Sequence, residues 1–344
     1  MLVKQIIVAI LVVIVSSAIT WRNMNKYVEK GVIISATDEV LYEVETGSTL
    51  TRVAADLNSL HLVDYPKFLV IYARCNNLTA IKAGEYRITK GESLLGLLQR
   101  FGEGDVVKYQ VTIPEGWNFK QVLAELKQKP KLAHKLNDLP DEKIIVELGL
   151  KIDSLEGRFF PDTYQYQPGS SDVELLLTAH NRMEAMLEKL WPTRATDLPY
   201  ATPYEALIMA SIVEKESGIA TERPDIAGVF VERLRQGMRL QTDPTVIYGL
   251  GDAYDGNLKR EQLKQPTPYN TYVNLGLPPT PIALPSEGAI AAALNPRIEG
   301  YLYFVAKGDG SHHFTRTLEE HLEAVKLYQI TQRSKDYRSS PLVQ

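Results

Sequence analysis

The 344-residue chain has a single cysteine, Cys75, so no disulfide can form within it and thiols carry no information on its redox compartment. It also lacks any block of lysine or arginine. The 38 basic residues are set against 42 acidic ones, giving a net charge of −4 and a pI near 6.0. That balance argues against nucleic acid as a partner. Histidine is scarce, with six residues, and no H-E-x-x-H string or cysteine pair accompanies His312, His313 and His321. No metal site and no cofactor are therefore expected. The length allows two domains and a sizeable core.

One stretch lacks charge altogether. Gln5 to Trp21 is uncharged and bracketed by Lys4 and Arg22. Its seventeen residues are at the lower limit for a membrane-spanning helix, and Trp21 suits the interfacial belt. Ser16 and Ala18 offer the small residues of a signal-peptide cleavage site. The apolar run is long for a signal core, however, and no polar cleavage region follows it. Residues 1–22 are therefore expected to be a short stub and a retained span, and 23–38 a juxtamembrane linker.

From Val40 the pattern turns to strand–turn–helix corners. Val40 to Glu45 alternates, Gly47 turns the chain, and Thr49 precedes the helical run Leu50, Val53, Leu57. Glu85 to Thr89, Gly91, Ser93 and Leu94, Leu97, Leu98 repeat this logic, sharing G-x-[ST]-L. The region 39–108 resembles a LysM module, a small sugar-binding unit of cell-wall proteins; any small α+β unit built from such corners gives the same pattern. A third corner, Tyr109 to Leu126, opens a connecting segment, 109–154, of short helices and linker. A larger domain is expected over 155–334, with 335–344 as a tail. The fold class is α+β throughout.

The organising element of the larger domain is Thr202 to Gly218. Thr202 and Glu205 form a capping box around Pro203, and Gly218 stands where a left-handed C-cap belongs. At helical spacing Ile208, Met209, Ile212 and Val213 make an apolar stripe with Glu216 near its middle and Glu214 opposite, toward water. Desolvation on an apolar face raises a carboxyl pKa and lets Glu216 hold the proton that a general acid must donate. The alternative is a helix-end glutamate that bends to solvent or pairs with Lys215 or Arg223.

Upstream, the run from Leu155 to Tyr164 opens a stretch with four aromatics from Phe159 to Tyr166, suited either to stacking on sugar rings or to packing. Asp162 there could bind a hydroxyl or fix the turn after Pro161. Downstream, Leu240 to Pro285 is rich in Pro, Tyr and amide side chains, with little regular structure expected. Gln241, Thr242, Asp243, Tyr269, Asn270 and Tyr272 offer the amides, hydroxyls and aromatic faces of a polysaccharide groove. His312 is a candidate groove imidazole or a structural turn residue.

The segments EGRFFPDTY, ASIVEKESG, MRLQTDPTVIYG, PYNTY, GLPPTPI and YFVAKGDGSHHF occur in this order. Together they resemble the MltG (YceG-like) family of endolytic murein transglycosylases. The resemblance implies an inner-membrane, single-span protein with a LysM-like subdomain and an α+β catalytic domain in the periplasm. It implies that Glu216, the second glutamate of E-K-E, is the catalytic acid on a lytic-transglycosylase-like helix. It further implies peptidoglycan glycan strands as substrate, cleaved at the MurNAc–GlcNAc β-1,4 bond to 1,6-anhydroMurNAc ends, and peptidoglycan synthases as partners. Asp162, Gln241, Thr242, Asp243, Tyr269, Asn270, Tyr272 and His312 are the expected substrate contacts; His313 beside His312 leaves open which imidazole faces the groove. A hydrolytic muramidase using Asp162 or Asp243 as second carboxylate, and a non-catalytic wall-binding scaffold, are the alternatives.

Overall fold

The structure is a computed structural model, described here for residues 2–32, 34 and 38–331. The expected tail, 335–344, lies outside the described residues. The chain divides into two units.

The first unit comprises Met1–Tyr109 with Gln165–Gly169. Helix α1 (Leu2–Glu29) runs seven residues past Arg22, further than the uncharged run indicates. Its last turns bury Met24 and Val28, an i, i+4 pair, in the core of this unit. Strand β1 (Glu39–Val44) is followed by helices α2 (Leu50–Ser59) and α3 (Pro66–Cys75), then by β2 (Gly84–Thr89) and α4 (Leu94–Glu103). β1 and β2 pair antiparallel, with Tyr42 opposite Tyr86. Both expected corners form: Thr49 accepts from Arg52 N to cap α2, and Ser93 accepts from Gly96 N to cap α4. Leu50, Val53, Leu57, Leu94, Leu97 and Leu98 all turn inward. The Tyr86 ring meets Phe101 edge-on at 4.6 Å in the centre of this core.

The second unit comprises Gln110–Tyr164 and the chain from Ser170, so residues 110–154 fold with it. β3 (Tyr109–Thr112) and β4 (Thr163–Tyr166) form a two-stranded sheet. Helices α5 (Phe119–Lys127), α6 (Asp141–Leu148) and α7 (Asp172–Leu190) precede the central helix α8 (Pro203–Glu216). After it come α9 (Arg223–Arg235), α10 (Asp243–Leu250), α11 (Glu287–Leu294), the antiparallel pair β5 (Tyr303–Ala306) and β6 (His312–Thr315), and α12 (Leu318–Val325).

α8 begins with the expected capping box, Thr202 with Glu205, and Pro203 in its first turn. It does not end as expected. The helix stops at Glu216 with Ser217 extended (φ −139°, ψ 128°), and Gly218 is not left-handed. Every residue from Ala206 to Val213 is buried, so α8 has no solvent face along its middle. It packs on α9 and on the alanine-rich α11, which buries Ala289, Ile290, Ala292 and Ala293. The small side chains let the helices approach closely.

Two further features bear on the site. α10 forms where little regular structure was expected, because Pro244 is readily accepted in a first turn. The aromatic run is core: Phe159 stacks on Phe119 at 5.0 Å, and Phe160, Tyr164 and Tyr166 are buried.

Close approach is tightest at Gly228 of α9, where an added Cβ would stand 2.0 Å from the backbone oxygen of Arg297. Gly228→Ala should therefore destabilise the second unit by about 1–3 kcal/mol through forced overpacking. A thermal midpoint lowered relative to wild type is the expected result; an unchanged midpoint would show that the Arg297 backbone yields freely.

Candidate active site

The C-terminal end of α8 opens onto a cleft of about 700 Å³ within the second unit. Its walls come from α9, the Leu240–Ile247 segment, the β5–β6 pair and α12. Among its lining groups are Glu216, Gln241, Asp243, Tyr272 and His312, five of the nine residues expected at the site.

Glu216 sits at the last position of a buried helix and is part-buried itself, with its carboxyl facing the cleft. The Thr242 hydroxyl donates to its Oε1. Burial pushes the carboxyl up to about 7. The hydrogen bond from Thr242 acts against this, nearby Asp243 adds to it, and the Arg233 guanidinium pulls the other way. Desolvation wins because the helix delivers the group into dense protein while, among the described residues, no cation pairs with it directly.

Thr242 is itself held from behind. Its backbone N–H donates to Thr271 Oγ1 (3.1 Å), its carbonyl accepts from Thr245 Oγ1 (2.8 Å), and Thr245 and Thr271 hydroxyls lie 2.8 Å apart. The residue before it, Gln241, has φ 52°, a conformation non-glycine residues rarely adopt, and its N–H donates to the Thr271 carbonyl. A strained backbone and a buried threonine cluster thus fix the hydroxyl that touches Glu216. Nothing in the spacing of Thr245 and Thr271 announces this pairing.

Glu214 corrects the expectation that it faces water. Its side chain is 6 % exposed and forms an ion pair with Arg223 at 3.0 Å. It also accepts from Ser286 N (3.0 Å) and from the Ser286 hydroxyl, to which Arg223 Nη1 donates at 2.8 Å. The opposite side of α8 is also interior, so the geometry that separates the two glutamates does not expose the second. Arg223 is consumed by Glu214, which removes it as a partner for Glu216.

Other expected contacts are employed elsewhere. Asp162 binds Arg182 at 2.6 Å and accepts from Thr163 N, and it does not line the cleft. Asn270 is fully buried; its amide donates to the carbonyls of Gln262, Leu263 and Gln265, and its oxygen accepts from Tyr272 N. It therefore shapes the loop that carries Tyr272. Tyr269 packs edge-on against Tyr248 at 4.8 Å and shares a hydrogen bond with Thr280. Tyr272 does reach the cleft, where its hydroxyl donates to Asp243 Oδ1 at 2.6 Å.

Two residues absent from the expected set stand out. Glu222 holds His312 twice, accepting from its backbone N (3.0 Å) and lying 2.9 Å from Nδ1. With Nδ1–H donating to that carboxylate, Nε2 becomes the ring's acceptor. Of the adjacent pair His312 and His313, it is His312 that lines the cleft. Arg233, 7 % exposed, donates Nε to Leu302 O (2.7 Å) and Nη1 to Leu240 O (2.6 Å), bringing a buried cation to the cleft wall. Burial lowers its pKa, yet a guanidinium stays charged. Its i, i+4 place beyond Val229 on α9 marks only a helix face, so no sequence signal separates it from a surface arginine. Among the described residues no group of three or more His, Cys, Asp or Glu is arranged to hold a metal ion.

The YceG-like family model matches residues 42–327. The chain is 30% identical over 309 residues to the endolytic murein transglycosylase of Bacillus subtilis (strain 168), with 85% of each covered. It is also 30% identical over 333 residues to the endolytic murein transglycosylase of Streptococcus pneumoniae serotype 2 (strain D39), spanning 87% of this chain and 58% of that protein. A crystal structure of a YceG-like protein from Listeria monocytogenes aligns with a TM-score of 0.54 at 29% identity, covering 83% of this chain and 98% of that one. With a match that extends from β1 to the end of α12, the chain belongs to the YceG-like family.

Proposed function

We propose that the protein is an endolytic peptidoglycan lytic transglycosylase, cutting the MurNAc–GlcNAc β-1,4 bond within nascent glycan strands and so ending their elongation. The observation that carries this reading is the Glu216 carboxyl, raised to about 7 at the wall of an open cleft. Such a group is substantially protonated at neutral pH and can act first as acid, then as base. With Thr242 donating to Oε1, the proton resides on Oε2. Glu216 gives that proton to the glycosidic oxygen while the C1–O bond breaks through an oxocarbenium-like state. The muramyl C6 hydroxyl then bonds to C1, and its proton returns to the carboxylate. No water enters, and the product end is a 1,6-anhydro sugar. Arg233 opposes the accumulation of negative charge when Glu216 is ionised between the two transfers. Gln241, Asp243, Tyr272 and His312 line the path of the glycan, and Glu214 with Arg223 anchors the end of α8.

Asp243 supports a second reading. It shares the cleft with Glu216, so a hydrolytic muramidase could use it as second carboxylate. Its engagement with the Tyr272 hydroxyl favours a substrate-orienting role instead. Asp162, bound to Arg182 off the cleft, drops out of that alternative.

The first unit supports a LysM-like reading, since β1, α2, α3 and β2 follow a βααβ order with the strands antiparallel. Helix α1 carries an apolar span from Val3 onward, and we read it as a retained anchor with the catalytic unit on the periplasmic side of the inner membrane. Peptidoglycan synthases, which make the strands, are the partners this placement would bring near.

Two outcomes test the reading. Mass spectrometry of purified glycan strands after incubation should find new 1,6-anhydroMurNAc ends, lost on Glu216→Gln. Reducing MurNAc ends instead would favour the muramidase, and a persistent anhydro product from the variant would displace Glu216 as the acid. The second outcome concerns stability. The folded pKa of Glu216 lies above its unfolded value of 4.5, so ionisation penalises the folded wild type as pH rises from about 4.5 through 7. Glu216→Gln removes that penalty, on the order of 3 kcal/mol when complete. The thermal midpoint of the variant relative to wild type should be flat below pH 4.5, climb between, and level off above 7. A difference independent of pH would mean an ordinary, solvated carboxylate.

A further inference from the structure

We propose that the C-terminal end of α3, with the outward-facing Ile71, Arg74 and Cys75, docks on the surface of the bilayer that α1 crosses, holding the first unit against the lipid headgroups. This rests on the reading of α1 as a retained span. The geometry comes from two ring contacts. Trp21 of α1 stacks on Tyr72 near the end of α3, with centroids 6.0 Å apart. Tyr27 of α1 meets Tyr65 at the start of α3 at 5.6 Å, and the Tyr65 backbone N–H donates to the Tyr27 hydroxyl at 2.9 Å. Along α1 the two contacts are about 9 Å apart, and along α3 about 10 Å, from a rise of 1.5 Å per residue. The two helices therefore run antiparallel, and α3 points its C-terminal end back toward the membrane. Trp21, an interfacial residue at the end of the apolar run, sets the level at which that end arrives.

What α3 exposes there suits a lipid surface. Its inner face buries Leu69, Val70, Tyr72 and Ala73. Its outer face leaves Phe68 41% and Ile71 50% exposed, flanked by exposed Lys67, Arg74 and Cys75. Exposed apolar side chains edged by basic residues, on a helix whose inner face is already buried, suit contact with a headgroup region. No acidic residue occurs from Pro66 to Asn77, whereas Arg22 and Lys26 of α1 add to the basic charge. The charge thus complements anionic headgroups, and long basic side chains can reach them while their stems lie along apolar surface.

Cys75 is the only cysteine, so the native chain accepts a single fluorescent label at the membrane-directed end of α3. The full chain is reconstituted into phosphatidylcholine–phosphatidylglycerol vesicles containing lipids with shallow or deep nitroxide quenchers. Further labels are placed by Ile71→Cys, Tyr65→Cys and Ile14→Cys, each combined with Cys75→Ser. Docking predicts strong shallow quenching at Cys75 and Ile71, clearly less at Tyr65, and deep quenching at Ile14. If Ile14 is quenched but Cys75 and Ile71 are not, the inference falls while the anchor stands. If Ile14 is not quenched, the anchor reading falls and takes the inference with it.

Discussion

The structure of the second unit depends on carrying one carboxyl to the end of a helix that has no exposed middle. α8 is buried from Ala206 to Val213, so its position is fixed on all sides, by α9, by α11 and by the Ser211 hydroxyl, which accepts from Ile282 N at 3.0 Å. Its two ends reach solvent, and the C-terminal one carries Glu216 to the cleft. A helix interior so tightly enclosed cannot rotate by even a fraction of a turn without creating voids or clashes. The orientation of Glu216 is therefore set by packing far from the cleft, and the Thr242 hydroxyl needs only to select one of its two oxygens.

The charges around α8 are sorted by partner. Glu214 and Arg223 neutralise each other beside Ser286, which ties the end of α8 to the start of α11. Glu222 engages His312. Asp243 is bound by the Tyr272 hydroxyl. Glu216 accepts from a neutral donor, the Thr242 hydroxyl, and the nearest influences on it, Asp243 and Arg233, oppose each other. A carboxyl next to a direct cation partner would be held ionised, while one with no polar contact would be held neutral well above physiological pH. The intermediate arrangement brings it near neutrality, where protonated and ionised forms interconvert readily.

Much of this was legible in the residues. The caps at Thr49, Ser93 and Thr202 each bond as their spacing indicates, because capping is a local geometry of three or four residues. Helix phase places Glu216 on the apolar face, and the resemblance to the YceG-like family makes it the candidate acid. The same phase misjudged Glu214, since periodicity identifies an apolar face but cannot reveal that the opposite face also meets protein. Asp162 and Asn270 look like sugar ligands by chemistry, yet Arg182 and three loop carbonyls occupy them. Buried carbonyls demand donors, and only the folded chain shows which carbonyls are buried. The His312–Glu222 contact joins residues ninety positions apart and leaves no local trace.

Acid catalysis by Glu216 requires that its carboxyl hold a proton near neutral pH. Site-resolved carboxyl ¹³C NMR, with the Glu216 signal identified by its loss in Glu216→Gln, measures that state directly across a pH titration. A midpoint near 7 is expected, moving upward when Thr242→Val removes the hydroxyl that favours the carboxylate. A midpoint near the ordinary 4.5, unmoved by Thr242→Val, would contradict a desolvated acid held by Thr242.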